Sequence, residues 1–528
     1  MATRSFFLII RRNCNDVLFR SSPLFHFEKR PFSRSLSSSP SRFNPPDKSS
    51  LLNVSAAYDL KSRILRLRSS NRSAMDALQR WVGEGRKVKL PELRRIADDL
   101  RKLKRYEHAL EILTWMEAQG SFQMSAADRA IILELMIRVH GLSEAEEYFE
   151  TIPDRNSQKA ACLPLLNFHV KERATKRAEL FMLKLQRLGL TVTPHPFNEM
   201  MKLYMATCHF GKVPLVIEQM KRNRIPLNVL SYNLWMGACG AVSDVVSAEM
   251  VYKEMMNDMT LDVGWSTYST LANIYVRSDL VDKAAAALRA AEQKLSASSR
   301  LGYFFLITQY AALNDKDGVL RLWEGSKSVP GKITCANYMC ILSCLVKLGD
   351  VGEAEKIFTT WESKCRKYDI RVSNVLLGAY MRRGWMEKAE ALHLSTLEKG
   401  GCPNYKTWEI LMEGWMKNEQ MDKVVEAMKK GFSRLRECHW RPSPSVVMAI
   451  AKHFEEHGSV EDACKYVKGL RSLNLVNLSV YKSLLRVHIH AQRPALDVLK
   501  MMERDKIDLD EETSALLEQM SKMNDVQA

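Results

Sequence analysis

A chain of 528 residues, 46% of them hydrophobic, can bury an extensive core, and a formal charge of +17 with a pI near 9.3 favours an anionic partner. No run of the sequence approaches the ~18 apolar residues that a membrane-spanning helix needs, which excludes insertion of that kind. Eleven cysteines without a single CxxC pair exclude a compact zinc or disulfide framework and read as reduced thiols.

Residues 1–46 carry eight Arg or Lys against Asp16 and Glu28, with many serines and an early Phe6–Ile10 apolar cluster. This composition predicts an organellar transit peptide, mitochondrial rather than plastid, since arginines and aromatics are spread through the segment. Arg30-Pro31-Phe32-Ser33 resembles a matrix-protease site with the cut after Phe32. The segment contributes +6, so about +11 of the charge stays on the remaining chain. Residues 47–89 read as a linker followed by a helical N-terminal cap, with Leu60, Ile64, Leu78 and Trp81 on apolar faces and Gly83 and Gly85 closing it.

From Leu90 to Asp510 one unit recurs every 35 residues or so. Cys335–Asp369 and Ile370–Asn404 show it most plainly: an apolar-periodic run, a Gly turn at Gly349 or Gly384, then a second periodic run. Place 20 is small in every unit from the first to 444–477, as in Ala109, Ala178, Val213, Ala248, Ala354, Ala389 and Ala463. A small residue at a fixed point of a helical hairpin marks close approach of two helices, and a period of this length means stacked hairpins. The predicted units are 90–124, 126–158, 159–193, 194–228, 229–264, 265–299, 300–334, 335–369, 370–404, 405–443, 444–477 and 478–510. The unit 405–443 is stretched and contains a basic stretch, Met428–Arg441. Place 11 is aromatic or apolar (Tyr204, Tyr275, Tyr310, Tyr380, Trp415), a stripe expected in the core. Residues 511–528 read as a C-terminal capping helix and tail.

The unit length, the Gly or polar turn near place 15, the small place 20 and the Met or Leu at place 27 (Met116, Leu185, Met220, Met255) resemble the pentatricopeptide repeat. The entry region, with Leu78-Gln79-Arg80-Trp81-Val82-Gly83-Glu84-Gly85, is similar to a plant P-type subfamily with organellar transit peptides. The tetratricopeptide repeat is the rival, and the 35-residue phase and basic charge speak against it. The resemblance implies an all-α, right-handed superhelical solenoid of about twelve helix-turn-helix repeats. It also implies one base of single-stranded RNA read per repeat, through place 5 and the last place. By that resemblance Asn198 with Asn228 and Asn374 with Asn404 favour pyrimidines, C before U, and Met339 with Asp369 favours U. Asn233 holds place 5 of its unit opposite Gly264. Other units depart from the pattern, among them Arg94/Met124, Leu163/Thr193, Phe304/Thr334 and Glu409/Ser443, which favours a scaffold role.

Place 13 carries Lys102, Lys171, Arg277, Lys347, Arg382 and Lys417, a row suited to phosphates or simply to helix C-terminal dipoles. No enzyme is visible: His453-Phe454-Glu455 lacks the CxxC of a zinc deaminase, and phosphate-binding glycine patterns are absent. The expected protein is therefore not an enzyme and needs no cofactor or metal. It binds organellar single-stranded RNA in the mitochondrial matrix, acting in processing, stability or translation. The alternative is a structural scaffold or mitoribosome-associated subunit that holds rRNA and proteins.

Overall fold

The computed structural model describes residues 59–67, 73–434 and 442–527. The expected transit segment, its cleavage point, the linker as far as residue 58 and residues 435–441 of the basic stretch lie outside them. Among the described residues the structure is helical and has no strand. No helix among them is long and apolar enough to cross a membrane.

The helices pair as hairpins, the first helix (A) and second (B) joined by a tight turn. A helices begin at Leu90, Ala126, Arg155, Pro194, Val229 and Trp265, then at Leu301, Cys335, Ile370, Tyr405, Pro444 and Leu478. Two short helices, Leu60–Leu65 and Ala74–Gly83, precede the first hairpin, and Glu511–Gln527 follows the last. The chain forms two compact units, one up to Asp279 and one from Leu280. Within each unit most A helices pack on the A helices of neighbouring hairpins, and most B helices pack on their own A helix and the next. That asymmetry makes an inner A layer and an outer B layer.

Three local devices recur because the sequence repeats them. The first is the turn. Place 15 is left-handed in hairpin after hairpin: Gly349 at φ 84°, Gly384 at 71°, and also Lys104, Arg173, Cys208, Ser243 and Glu419. The next N–H then reaches back to the carbonyl five residues earlier, as Trp385 N–H does to Tyr380 O at 3.0 Å and His209 to Tyr204 at 2.8 Å. This closes the A helix and turns the chain into the B helix. The second is the small place 20: Ala109, Ala178, Val213, Ala248, Ala354 and Ala389 are all fully buried. A larger side chain there would force A and B apart.

The third device ties hairpin to hairpin, and it rests on the place-11 stripe. Those rings are buried, but their polar ends are used. Tyr204 Oη donates to Glu179 at 2.9 Å, and Lys212 Nζ donates to the same carboxylate at 2.7 Å. Tyr380 and Lys388 meet Glu355 at 2.8 and 3.1 Å, and Trp415 Nε1 and Lys423 meet Glu390 at 3.3 and 2.5 Å. Tyr275 donates to Glu249 at 3.1 Å. Each glutamate directly follows the small place 20, on the B helix of the preceding hairpin. Burial and the carboxylate together push the phenols up, Tyr275 to about 12, while the lysine ammonium holds Glu179 and Glu390 below the usual carboxylate range.

One boundary differs from the even spacing. The third A helix, Arg155–Lys171, starts four residues before place 1 of the predicted unit 159–193. Asp154 is the reason: its Oδ1 accepts from Ser157 N–H at 2.7 Å, a cap that Gln158 cannot supply in the same way. The hairpin ahead of it is correspondingly short, with a B helix of only Leu142–Thr151.

Candidate nucleic-acid interface

In most units the last place is also the N-cap of the next A helix, as at Asn228, Thr334, Asp369, Asn404, Ser443 and Asn477, which favours a capping residue type there. Asn228 Oδ1 accepts from Ser231 N–H at 3.0 Å. Asn198, 1% exposed, donates its Nδ2 to the same Oδ1 at 3.1 Å and accepts from Ser231 Oγ at 2.8 Å. The second set repeats this. Asn404 Oδ1 accepts from Thr407 N–H at 3.1 Å and from Asn374 Nδ2 at 3.3 Å, and Thr407 Oγ1 donates to Asn374 Oδ1 at 3.0 Å. So the structure brings together Asn198 with Asn228 and Asn374 with Asn404.

A backbone N–H can only donate, so it fixes which way each capping amide is turned. Oδ1 faces the helix end, and Nδ2 of Asn228 and Asn404 keeps its hydrogens free of partners among the described residues. Each set thus offers a paired amide donor on the inner layer, held rigidly by a buried hydrogen-bond triangle. Capping preference alone would also select Asn here; the buried second asparagine is what capping does not require.

The remaining place-5 residues differ. Asn233 faces Gly264, which supplies no side chain; its Nδ2 reaches Ser266 Oγ at 3.4 Å and its Oδ1 is buried with no hydrogen-bond partner. Met339 is half-buried. Asp369 caps Ile370–Arg382 through Arg371 N–H, and the Arg371 guanidinium clamps it at 2.9 and 2.6 Å and holds its carboxyl below the usual range. At the two ends place 5 is an ion pair: Arg94 with Asp128 at 2.5 Å, and Lys482 with Asp510 at 2.5 Å and with Glu512.

All six place-13 cations are the final residue of their A helix and all are exposed. Lys102 is tied to Asp99 at 3.2 Å. Lys171, Arg277, Lys347, Arg382 and Lys417 have no ion pair among the described residues; burial pushes the Arg382 guanidinium down from its ordinary value, against the attraction of Glu413. Lys347, Arg382 and Lys417 sit on three successive hairpins, so their alignment follows from A-on-A packing. Arg138 holds the same place in the second hairpin and was legible by the same count; it is bound to Glu134 at 3.0 Å and lies over Tyr106.

The family called PPR repeat matches residues 230–258, 337–364 and 372–400. A pentatricopeptide repeat-containing protein of Arabidopsis thaliana is 53% identical over 448 residues, covering 84% of this chain and 91% of its own length. The chain belongs to the pentatricopeptide repeat family. Two further Arabidopsis members, both named mitochondrial, are 31% and 37% identical, covering 87% and 88% of this chain and 94% and 86% of their own lengths. Among solved structures, the pentatricopeptide repeat protein PPR10 from maize overlaps 89% of this chain and 65% of its own at 15% identity, with a TM-score of 0.43. The first and last of the three matched stretches hold the place-5 residues Asn233 and Asn374, and the middle one holds Met339. Outside those stretches most units keep the small place 20 and the left-handed place 15, while place 5 varies and carries the asparagine chemistry at Asn198.

Proposed function

We propose that this pentatricopeptide repeat protein binds single-stranded RNA along its A-helix layer, as a P-type member working in the mitochondrion in RNA processing, stability or translation. Repeats of this family read one base each through two or three side chains. The observation that carries the reading is the recurrence of one rigid set, Asn198–Asn228–Ser231 and Asn374–Asn404–Thr407, with a free amide donor in the same place of both. A pyrimidine edge offers the acceptors this donor needs: O2 and N3 of cytosine, or a carbonyl of uracil. The mitochondrial placement rests on the Arg- and Ser-rich residues 1–46 and on the names of the relatives.

The test is a single substitution. Asn404→Asp keeps one oxygen for the Thr407 N–H and turns the free donor into an acceptor, which suits the N3–H of uracil. Preference at one base of a bound oligonucleotide is expected to move from C toward U by about 1–3 kcal/mol, with unchanged melting. Unaltered discrimination would remove Asn404 from the interface. A second reading, a mitoribosome-associated scaffold, is favoured by the ion-paired place 5 at Arg94 and Lys482 and by Asp369 closed on Arg371. It predicts shape-dominated binding of structured rRNA with no single-base preference.

A further inference from the structure

Three successive B helices, Thr175–Arg187, Lys212–Arg222 and Val245–Asn257, carry an apolar side chain at place 22: Leu180, Leu215 and Met250, which are 68%, 62% and 57% exposed. Elsewhere this place is mostly charged, as in Glu147, Arg321, Lys356, Glu426 and Lys465. Leu183 and Val246 lie one turn away on the same faces and are exposed too, so the row is a patch rather than scattered residues. It lies on the outer B layer, away from the asparagine sets. Ion pairs run across it between neighbouring hairpins, Lys212 to Glu179 at 2.7 Å and Lys221 to Glu254 at 2.7 Å, which fixes the helices side by side around Leu215.

The charge around the patch is one-sided. Glu179, Glu218 and Glu254 are each taken by a cation, and Glu249 accepts from Tyr275. Lys176, Arg187 and Lys253 are exposed and have no ion pair among the described residues. Three apolar points framed by unspent positive charge call for an apolar stripe framed by acids. The spacing also fits: packed helices stand about 8–10 Å apart, and residues seven apart on one helix face are separated by about 10 Å.

We propose that this face docks an acidic amphipathic helix of a partner protein, laid across the three B helices with one apolar side chain over each of Leu180, Leu215 and Met250. Charge excludes two other occupants. Residues 1–46 of this chain carry +6, and a second copy would bring the same cationic face. The inference goes beyond RNA binding and uses the opposite layer.

The probe is a synthetic helix of about 18 residues with leucine at every seventh place and flanking glutamates, titrated against the full chain. Two controls run beside it: the same peptide with lysine for glutamate, and phosphatidylserine vesicles. Binding of the acidic peptide is expected, weakened about tenfold or more by Leu215→Glu and by Lys176→Glu. Leu394→Glu, an exposed position elsewhere, leaves the affinity unchanged, as Leu215→Glu leaves oligonucleotide binding and melting unchanged. Equal binding of the lysine peptide, no binding of the acidic one, or vesicle binding that is lost in Leu215→Glu would each overturn the proposal, the last assigning the face to a membrane surface.

Discussion

A side chain in this array answers to two neighbours, one within its hairpin and one in the next. Tyr204 shows both. Its ring fills the stripe expected in the core, and its hydroxyl holds Glu179 across the junction while Lys212 closes the other side. Tyr204→Phe strips a bond to a charged acceptor and should cost about 1–2 kcal/mol in thermal or denaturant unfolding. The same carboxylate makes the junction acid-sensitive. Because Lys212 lowers the folded value of Glu179, its contribution is complete above the unfolded carboxylate value near 4.3 and fades as the pH falls through the lower folded value. Melting profiles from about pH 7 down to pH 3 should therefore show Glu179→Gln below wild type at neutrality and converging on it in acid. A constant gap would place the Glu179 effect in packing. The aromatic at place 11 was legible in the sequence. Its partnership with the glutamate after place 20 was not, because the donor lies 25 residues from Glu179 and the lysine 33. Likewise the asparagines stood out as place-5 and last-place residues, but only the fold brings in the Ser231 and Thr407 hydroxyls that lock them.

Hairpins are specified by punctuation more than by propensity. The left-handed place 15 costs an L-residue roughly 1–2 kcal/mol, and glycine avoids most of that while giving back some in the unfolded chain. Arg173 sits there at φ 53°. Arg173→Gly should stabilise the fold by about 0.5–1 kcal/mol, whereas Gly349→Ala, at φ 84°, should lose about as much. A chemical-denaturation series reads both, and opposite signs are the outcome required. Gly318 does a different job, since a Cβ there would stand 2.5 Å from the Tyr310 ring. Gly318→Ala should cost about 1–3 kcal/mol through displacement of a rigid ring. Turns and small residues of this kind made the hairpins legible from a single sequence, and the family membership supports the same unit. The early start at Arg155 was not legible, because a constant period hides a cap that arrives four residues too soon. Nor was the exposed row at Leu180, Leu215 and Met250 separated from core positions, since periodicity reports apolar spacing and not which layer lies above it.

For the molecule as a whole the charge surplus matters by where it is spent. Much of it is consumed internally: Arg94, Lys482 and Arg371 are all engaged by carboxylates. What remains at the ends of the A helices is Lys171, Arg277, Lys347, Arg382 and Lys417, with Lys102 held by Asp99. If these five touch phosphate, each releases counterions on binding a single strand, and log affinity should fall against log salt with a slope near −3.5, from roughly −0.7 per contact. Lys347→Gln and Lys417→Gln should each flatten that slope by about 0.7 and weaken every sequence alike, because phosphate contacts carry no base information. Lys102→Gln should leave it unchanged, its ammonium being already spent on Asp99. Asn404→Asp should shift base preference with little effect on slope. If the cations serve only the helix dipoles, the result is different: losses of a few tenths of a kcal/mol in stability and one common slope for all variants. Binding of a pyrimidine-rich oligonucleotide at four salt concentrations, for wild type and these four substitutions, separates the cases. Parallel lines for Lys347→Gln and Lys417→Gln would take the A-helix ends out of the interface and move the scaffold reading ahead.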